Sequence, residues 1–227
     1  MTERATPSVD GLVIGILGGT GDQGRGLARR FALAGHQVII GSRSPERAAA
    51  AAQEIGHGVR GQANADAARG ASVVIAAVPW EGHGDLLSGL AAELAGKIVV
   101  DCVNPLGFDQ RGAYALPVAE GGPAEGSAAQ QAAALLPGSR VVAAFHHVSA
   151  VLLLDPEVDT IDLDVLVLGD DREATDLVQA LAARIPGVRG IYAGRLRNCG
   201  QIEALTANLV SINRRYKAHA GLRVTDI

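Results

Sequence analysis

Two short groups of residues in this chain have types and spacing that point to chemistry. The first is Gly19-Thr20-Gly21-Asp22-Gln23-Gly24, which matches G-x-G-x-x-G. In that pattern the first glycine allows a tight turn, the second lets a pyrophosphate approach the backbone, and the third lets helix and strand pack closely. Phosphates would rest on the unpaired N–H groups of the helix that follows. The second group is Ser42, Arg43 and Arg47. An NAD site places an acid here, to bind the ribose 2′-hydroxyl and repel a 2′-phosphate. This chain instead offers a hydroxyl and two guanidinium groups, which suit a phosphate and therefore NADP. A plainer alternative is that Arg43 and Arg47 are solvated residues flanking the Ser44-Pro45 start of a helix.

Those residues need a strand, turn and helix to hold them, and the flanking sequence supplies all three. Leu12 to Leu17 is an apolar run suited to a strand buried on both faces. Leu27, Ala28, Phe31, Ala32 and Ala34 form one stripe of a helix whose other face carries Arg25, Arg29 and Arg30, with Gly35 as its end. Gln37 to Gly41 reads as a second strand. The alternation continues with a helix from Ser44 to Ile55, a strand at Val59–Gln62, a helical turn at Asn64–Arg69 and a strand at Ala71–Val78. A helix at Glu81–Leu94, a strand at Lys97–Asn104, a helix at Ser127–Leu136 and a strand at Arg140–Val148 complete it. The expected fold is α/β, a Rossmann-type, doubly wound and mostly parallel sheet spanning residues 11–150. Residues 151–227 read as a small appended α/β segment, with strands at Asp162–Gly169 and Val188–Gly194 and helices at Arg172–Ile185 and Asn198–Ala218. Pro105 to Gly126 is too long for an idle connection and is a candidate binding loop.

Composition narrows the function classes. The 227 residues carry a net charge of only −4, with no polybasic tract for nucleic acid or anionic membrane. No apolar run reaches the ~18 residues of a membrane helix, and MTERATPSVD is not a secretory leader, so a cytoplasmic protein is expected. Cys102 and Cys199 lack metal-ligand spacing, so neither metal site nor disulfide is expected. Tyr114, Tyr192 and Tyr216 are followed four residues later by Val118, Leu196 and Ala220, which disfavours the Tyr/Lys proton donors of short-chain reductases. The chain is also too short to add a large helical substrate domain.

The segments "GILGGTGDQGRGLARRFALAGHQVIIGSR", "AAVPW" at Ala76–Trp80 and "AAFHHVSA" at Ala143–Ala150 together resemble the F420-dependent NADP reductases over nearly the whole chain. The resemblance implies reversible hydride transfer between NADP(H) and the deazaflavin of coenzyme F420. On that basis Gly19, Thr20, Gly21, Gln23 and Gly24 form the phosphate turn, and Ser42, Arg43 and Arg47 hold the 2′-phosphate. Val78, Pro79 and Trp80 border the nicotinamide, and His146, Val148 and Ala150 border the deazaflavin. His147 and Ser149 receive no role, because the chain has serine where some members have proline and position 147 varies. No side chain is assigned as catalytic. Pro79, Trp80 and His146 are candidates for lining the hydride path, because the work left to the protein is orientation and exclusion of water. Trp80 as a core filler and His146 as a backbone-bonded core histidine stay open. So do another NADP-dependent reductase, of the pyrroline-carboxylate or ferric type, and a non-catalytic NADP(H) redox sensor. Ile202, Leu205, Leu209, Ile212 and Tyr216 form an apolar stripe on the last helix, from which a homodimer is expected.

Overall fold

The computed structural model describes residues 7–227, so most of the N-terminal decapeptide read above lies outside the described residues. The first apolar run becomes strand β1 (Val13–Leu17), and the glycine turn leads into helix α1 (Asp22–Leu33). Strand β2 (Gln37–Ser42), helix α2 (Pro45–Ile55), strand β3 (Arg60–Ala63), helix α3 (Asn64–Gly70) and strand β4 (Val73–Ala76) follow. A 3-10 turn at Trp80–Gly82 opens helices α4 (His83–Gly89) and α5 (Ala91–Leu94), then strand β5 (Ile98–Asp101). A separate hairpin, β6 (Leu106–Asp109) and β7 (Gly112–Ala115), precedes helix α6 (Ala128–Leu135), strand β8 (Arg140–Ala143) and helix α7 (Ala150–Leu154). Strand β9 (Leu163–Gly169), helix α8 (Arg172–Ala182), strand β10 (Val188–Gly194) and helix α9 (Cys199–Tyr216) end the chain's regular structure.

Eight strands form one sheet in the order β10-β9-β8-β5-β4-β1-β2-β3. All neighbours are parallel except β8 and β9. Because β1 is followed by β2 on one side and flanked by β4 on the other, the strand order reverses between β1 and β4. That reversal opens a crevice beyond the carboxyl ends of the strands, the place where open α/β sheets bind ligands. Each face of the sheet buries its own apolar layer: Ile14, Ile16, Leu27, Phe31 and Val38 on one side, Leu17, Val74, Leu87, Val99 and Leu136 on the other. Strand residues buried on both faces explain the unbroken apolar runs.

The structure revises several element readings. Strand β4 stops at Ala76 and β8 at Ala143, so Ala77–Val78 and Ala144–Val148, expected as strand ends, lie in irregular segments at the sheet's carboxyl edge. Pro79 has no N–H to continue a ladder, and Phe145 adopts φ +64°, a left-handed conformation that ends β8's extended path. The expected Glu81–Leu94 helix is three short pieces, broken at Leu90. The long connection contains the β6–β7 hairpin and a 3-10 turn at Val118–Glu120. Strands β9 and β10 add to the same sheet as β1–β5 and β8, next to β8. Arg30, placed on the face opposite the apolar stripe, is buried at 4% exposure, because its guanidinium donates to the carbonyls of Leu152, Leu153, Asp155 and Val158 at and just beyond the end of α7. A donor fork with five N–H groups is well suited to gather carbonyls that a short helix leaves unpaired.

Candidate active site

The glycines of the turn have distinct physical reasons. A Cβ on Gly19 would stand 2.6 Å from Ile40 Cβ, and one on Gly24 would stand 2.7 Å from Gly19 Cα, so both serve the close approach of β1, β2 and α1. At Gly21 a Cβ would meet nothing nearer than Gly18 O at 3.8 Å. The side of Gly21 on which a Cβ would project is therefore open. Gly21 is also the residue preceding α1, and no side chain caps that helix, so its first N–H groups have no side-chain partner. The turn is held by Gly19 N–H to Gly41 O at 3.0 Å and by Gly18 N–H to Asn64 Oδ1 at 3.4 Å. Thr20 is half-buried beside it.

At the end of β2, Ser42 is buried and its Oγ accepts the Ser44 N–H at 3.2 Å, which leaves its hydroxyl hydrogen to donate. Ser44 caps α2 by accepting the Arg47 N–H at 3.3 Å. Arg43 and Arg47 are exposed one helical turn apart. The capping reading and the presentation of both guanidinium groups thus occur together.

Gln23 reaches elsewhere than the turn: its Nε2 donates to Phe145 O at 3.2 Å. That bond ties the start of α1 to the buried Ala144–Val148 segment. There the His146 carbonyl accepts from Asn104 Nδ2 at 2.8 Å and from Thr206 Oγ1 at 3.1 Å. Its ring is 4% exposed and neither nitrogen has a hydrogen-bond partner, although the backbone of Val103 and Cys102 faces it. Burial pushes the imidazole down to about 4, so it is neutral near pH 7. A buried imidazole with both nitrogens unpaired is costly unless a ligand meets it. His147 is half satisfied, its Nε2 donating to Asp164 O at 2.7 Å while its buried Nδ1 has no partner. Val148 is buried, Ser149 Oγ lies 3.4 Å from His219 Nδ1, and Ala150 opens α7. Helix α7 crosses α1 so closely that a Cβ on Gly26 would lie 2.5 Å from Leu153 Cβ.

On the β4 side, Val78 sits against the turn: a Cβ on Gly18 would be 2.4 Å from Val78 Cγ1. Pro79 is exposed. Trp80 is half-buried, donates Nε1–H to Gly121 O at 2.8 Å and stacks on His83 with ring centroids 5.5 Å apart. With Leu106, Phe108, Leu116 and Gly121 it lines an open groove of about 590 Å³ below the long connection. Asn64, Asn104 and Thr206 were missed by sequence reasoning. Asn104, directly after a strand, carried a weak positional signal; Thr206 meets it across 102 residues, and no local pattern reports such a contact. Among the described residues no group of three or more His, Cys, Asp or Glu could hold a metal ion, and no helix is long and apolar enough to cross a membrane. Cys102 and Cys199 are both buried and free, with burial pushing each thiol up.

Known proteins resemble this chain in sequence and in fold. Residues 13–105 match the family model described as NADP oxidoreductase, coenzyme F420-dependent. The F420-dependent NADP reductase of Methanothermobacter marburgensis is 40% identical over 224 residues, covering 94% of this chain and 98% of that protein. Among solved structures, one described as a candidate F420-dependent NADP reductase from Arthrobacter sp. FB24 superposes with a TM-score of 0.81 at 28% identity, over 95% of this chain and all (100%) of that one. The pyrroline-5-carboxylate reductase of Coxiella burnetii gives a TM-score of 0.61 at 16% identity, over 91% of this chain and 68% of that one, a likeness of fold alone.

Proposed function

This chain belongs to the family of F420-dependent NADP reductases, and on that premise we propose that it catalyses reversible hydride exchange between NADP(H) and coenzyme F420. The observation that supports this best is the meeting of two features at one sheet edge. One is the open space at Gly21 beside uncapped helix N–H groups; the other is the buried, unpartnered ring of His146, joined to that helix through Gln23. The first suits a dinucleotide pyrophosphate and the second a flat, polar ring.

When both cofactors are bound they supply the chemistry, a hydride passed between C4 of the nicotinamide and C5 of the deazaflavin. The chain binds, orients and excludes water. Ser42, Arg43 and Arg47 take the 2′-phosphate, and Gly19, Thr20, Gly21 and Gly24 shape the turn for the pyrophosphate. Val78, Pro79 and Trp80 border the nicotinamide, and His146, Val148 and Ala150 border the deazaflavin. His146, neutral at pH 7, can donate or accept one hydrogen bond to a ring without placing a charge beside the hydride. Bringing two rings to near-attack distance is worth several orders of magnitude in rate, so no acid–base pair is required.

Mixing NADPH anaerobically with oxidised coenzyme F420 tests this reading. Bleaching of the deazaflavin absorbance, with one NADPH consumed per coenzyme, is the expected result. NADPH consumption with 1-pyrroline-5-carboxylate and none with the deazaflavin would favour the pyrroline-reductase alternative; tight NADPH binding with neither acceptor reduced would favour a sensor.

The same reading extends to a homodimer. Leu209 on α9 is buried within the chain, whereas further along the same stripe Ile212 is 40% and Tyr216 73% exposed. Covering those side chains against a second copy would remove apolar surface from water. Light scattering at micromolar concentration should give twice the 23.2 kDa chain mass, and a particle of the single-chain mass overturns the dimer.

A further inference from the structure

We propose that His83 is a positioning residue for Trp80, fixing the indole as a wall of the hydride-transfer site and tying it to the sheet beneath. His83 begins α4 and is wholly buried, as is Asp101 at the end of β5. Its Nε2 lies 2.6 Å from Asp101 Oδ2, and its Nδ1 lies 3.0 Å from Gln131 Oε1 on α6. Asp101 in turn accepts the Val103 N–H at 3.0 Å through Oδ1. With an oxygen before each ring nitrogen, the doubly protonated imidazolium satisfies both contacts. The ring faces the Trp80 indole at 30° between planes, a geometry in which a cation gains from the π-system. Trp80 then passes the constraint to Gly121 in the long connection. One line of contacts therefore runs from the end of β5, through Asp101, His83 and Trp80, to the loop over the groove.

The surroundings favour the charged ring. Burial opposes it, yet the Asp101 carboxylate, the Gln131 contact and the charge of Glu203 together raise the His83 pKa above its ordinary value. Glu203 on α9 accepts the N–H groups of Ala128 and Ala129 at 2.9 and 3.2 Å, and burial pushes it up to about 7. The other titratable groups under the influence of Asp101 are Cys102, Cys199 and His146.

Trp80 is the chain's single tryptophan, so its emission reports this contact directly. An imidazolium against the indole quenches more than a neutral imidazole does. The wild-type emission should therefore rise with pH through a midpoint above about 6.5, the ordinary histidine value. His83→Gln should remove that step and lower kcat for deazaflavin reduction about 10-fold, the scale of a displaced positioning group. In a Trp80→Phe background the same substitution should cost little more, because its effect passes through the indole. A step that persists in His83→Gln, or an equal kinetic loss with and without Trp80, overturns the proposal. Should His83→Gln not fold, Gln131→Leu must shift the midpoint downward by removing an interaction that favours the charged ring; an unmoved midpoint overturns it equally. The kinetic consequence rests on the hydride-transfer reading, whereas the fluorescence step does not. A wild-type protein showing the step but reducing no deazaflavin contradicts that reading and supports the contact.

Discussion

Gly21→Val should yield a folded protein that binds NADPH far more weakly. The backbone there, at φ −81° and ψ 164°, is extended and open to a β-branched residue, and the new Cβ meets no atom nearer than 3.8 Å. The valine methyl groups then occupy the space at the start of α1 that the pyrophosphate needs. NADPH affinity should fall about 100-fold or more, while the melting temperature moves by no more than a few degrees, about 3 °C. Isothermal titration beside a thermal melt measures both. Gly19→Val and Gly24→Val should behave oppositely and lose the fold, because a Cβ at either position enters neighbouring atoms at 2.6 and 2.7 Å. Unchanged NADPH affinity in folded Gly21→Val removes the dinucleotide from this turn.

Arg43→Ala separates the two nicotinamide dinucleotides. Arg43 stands exposed at the end of β2, beside a Ser42 hydroxyl with its hydrogen free to donate. Losing a charge-assisted contact to the 2′-phosphate should weaken NADPH about 10- to 100-fold and leave NADH, which lacks that phosphate, nearly unaffected. An exposed pair is screened, so the NADPH loss should shrink as salt rises. Equal losses for both dinucleotides contradict the assignment of Ser42, Arg43 and Arg47 to the 2′-phosphate.

The sheet, and the glycine turn and Ser42–Arg47 group to which we assign the dinucleotide, were legible because their signals are local. A strand buried on both faces writes an unbroken apolar run, a close crossing writes a glycine, and Ser44-Pro45 writes a helix start, all within a few residues. The half we propose for the deazaflavin was less legible, because its parts come from distant places. Asn104 and Thr206 meet on the His146 carbonyl, and Gln23 crosses to Phe145, contacts that only the closed fold creates. Arg30 shows the limit of a helical-face argument. It sits beside Arg29 on the side opposite the apolar stripe, yet α7 docks there and its unpaired carbonyls draw the guanidinium inward. The buried His83–Asp101 pair left no sequence pattern at all, since the two residues lie on different elements and meet behind the indole they support.

The path of the hydride itself provides the most direct test of the account. NADPH carrying deuterium at the transferred C4 position, reacted with oxidised coenzyme F420 in ordinary water under anaerobic single-turnover conditions, should deliver the label to C5 of the reduced deazaflavin. Mass spectrometry of the product should find one deuterium per molecule, because the rings meet in a site from which water is excluded. Reduced deazaflavin without the label, its hydrogen drawn from solvent, would contradict direct transfer between two cofactors held together at this sheet edge.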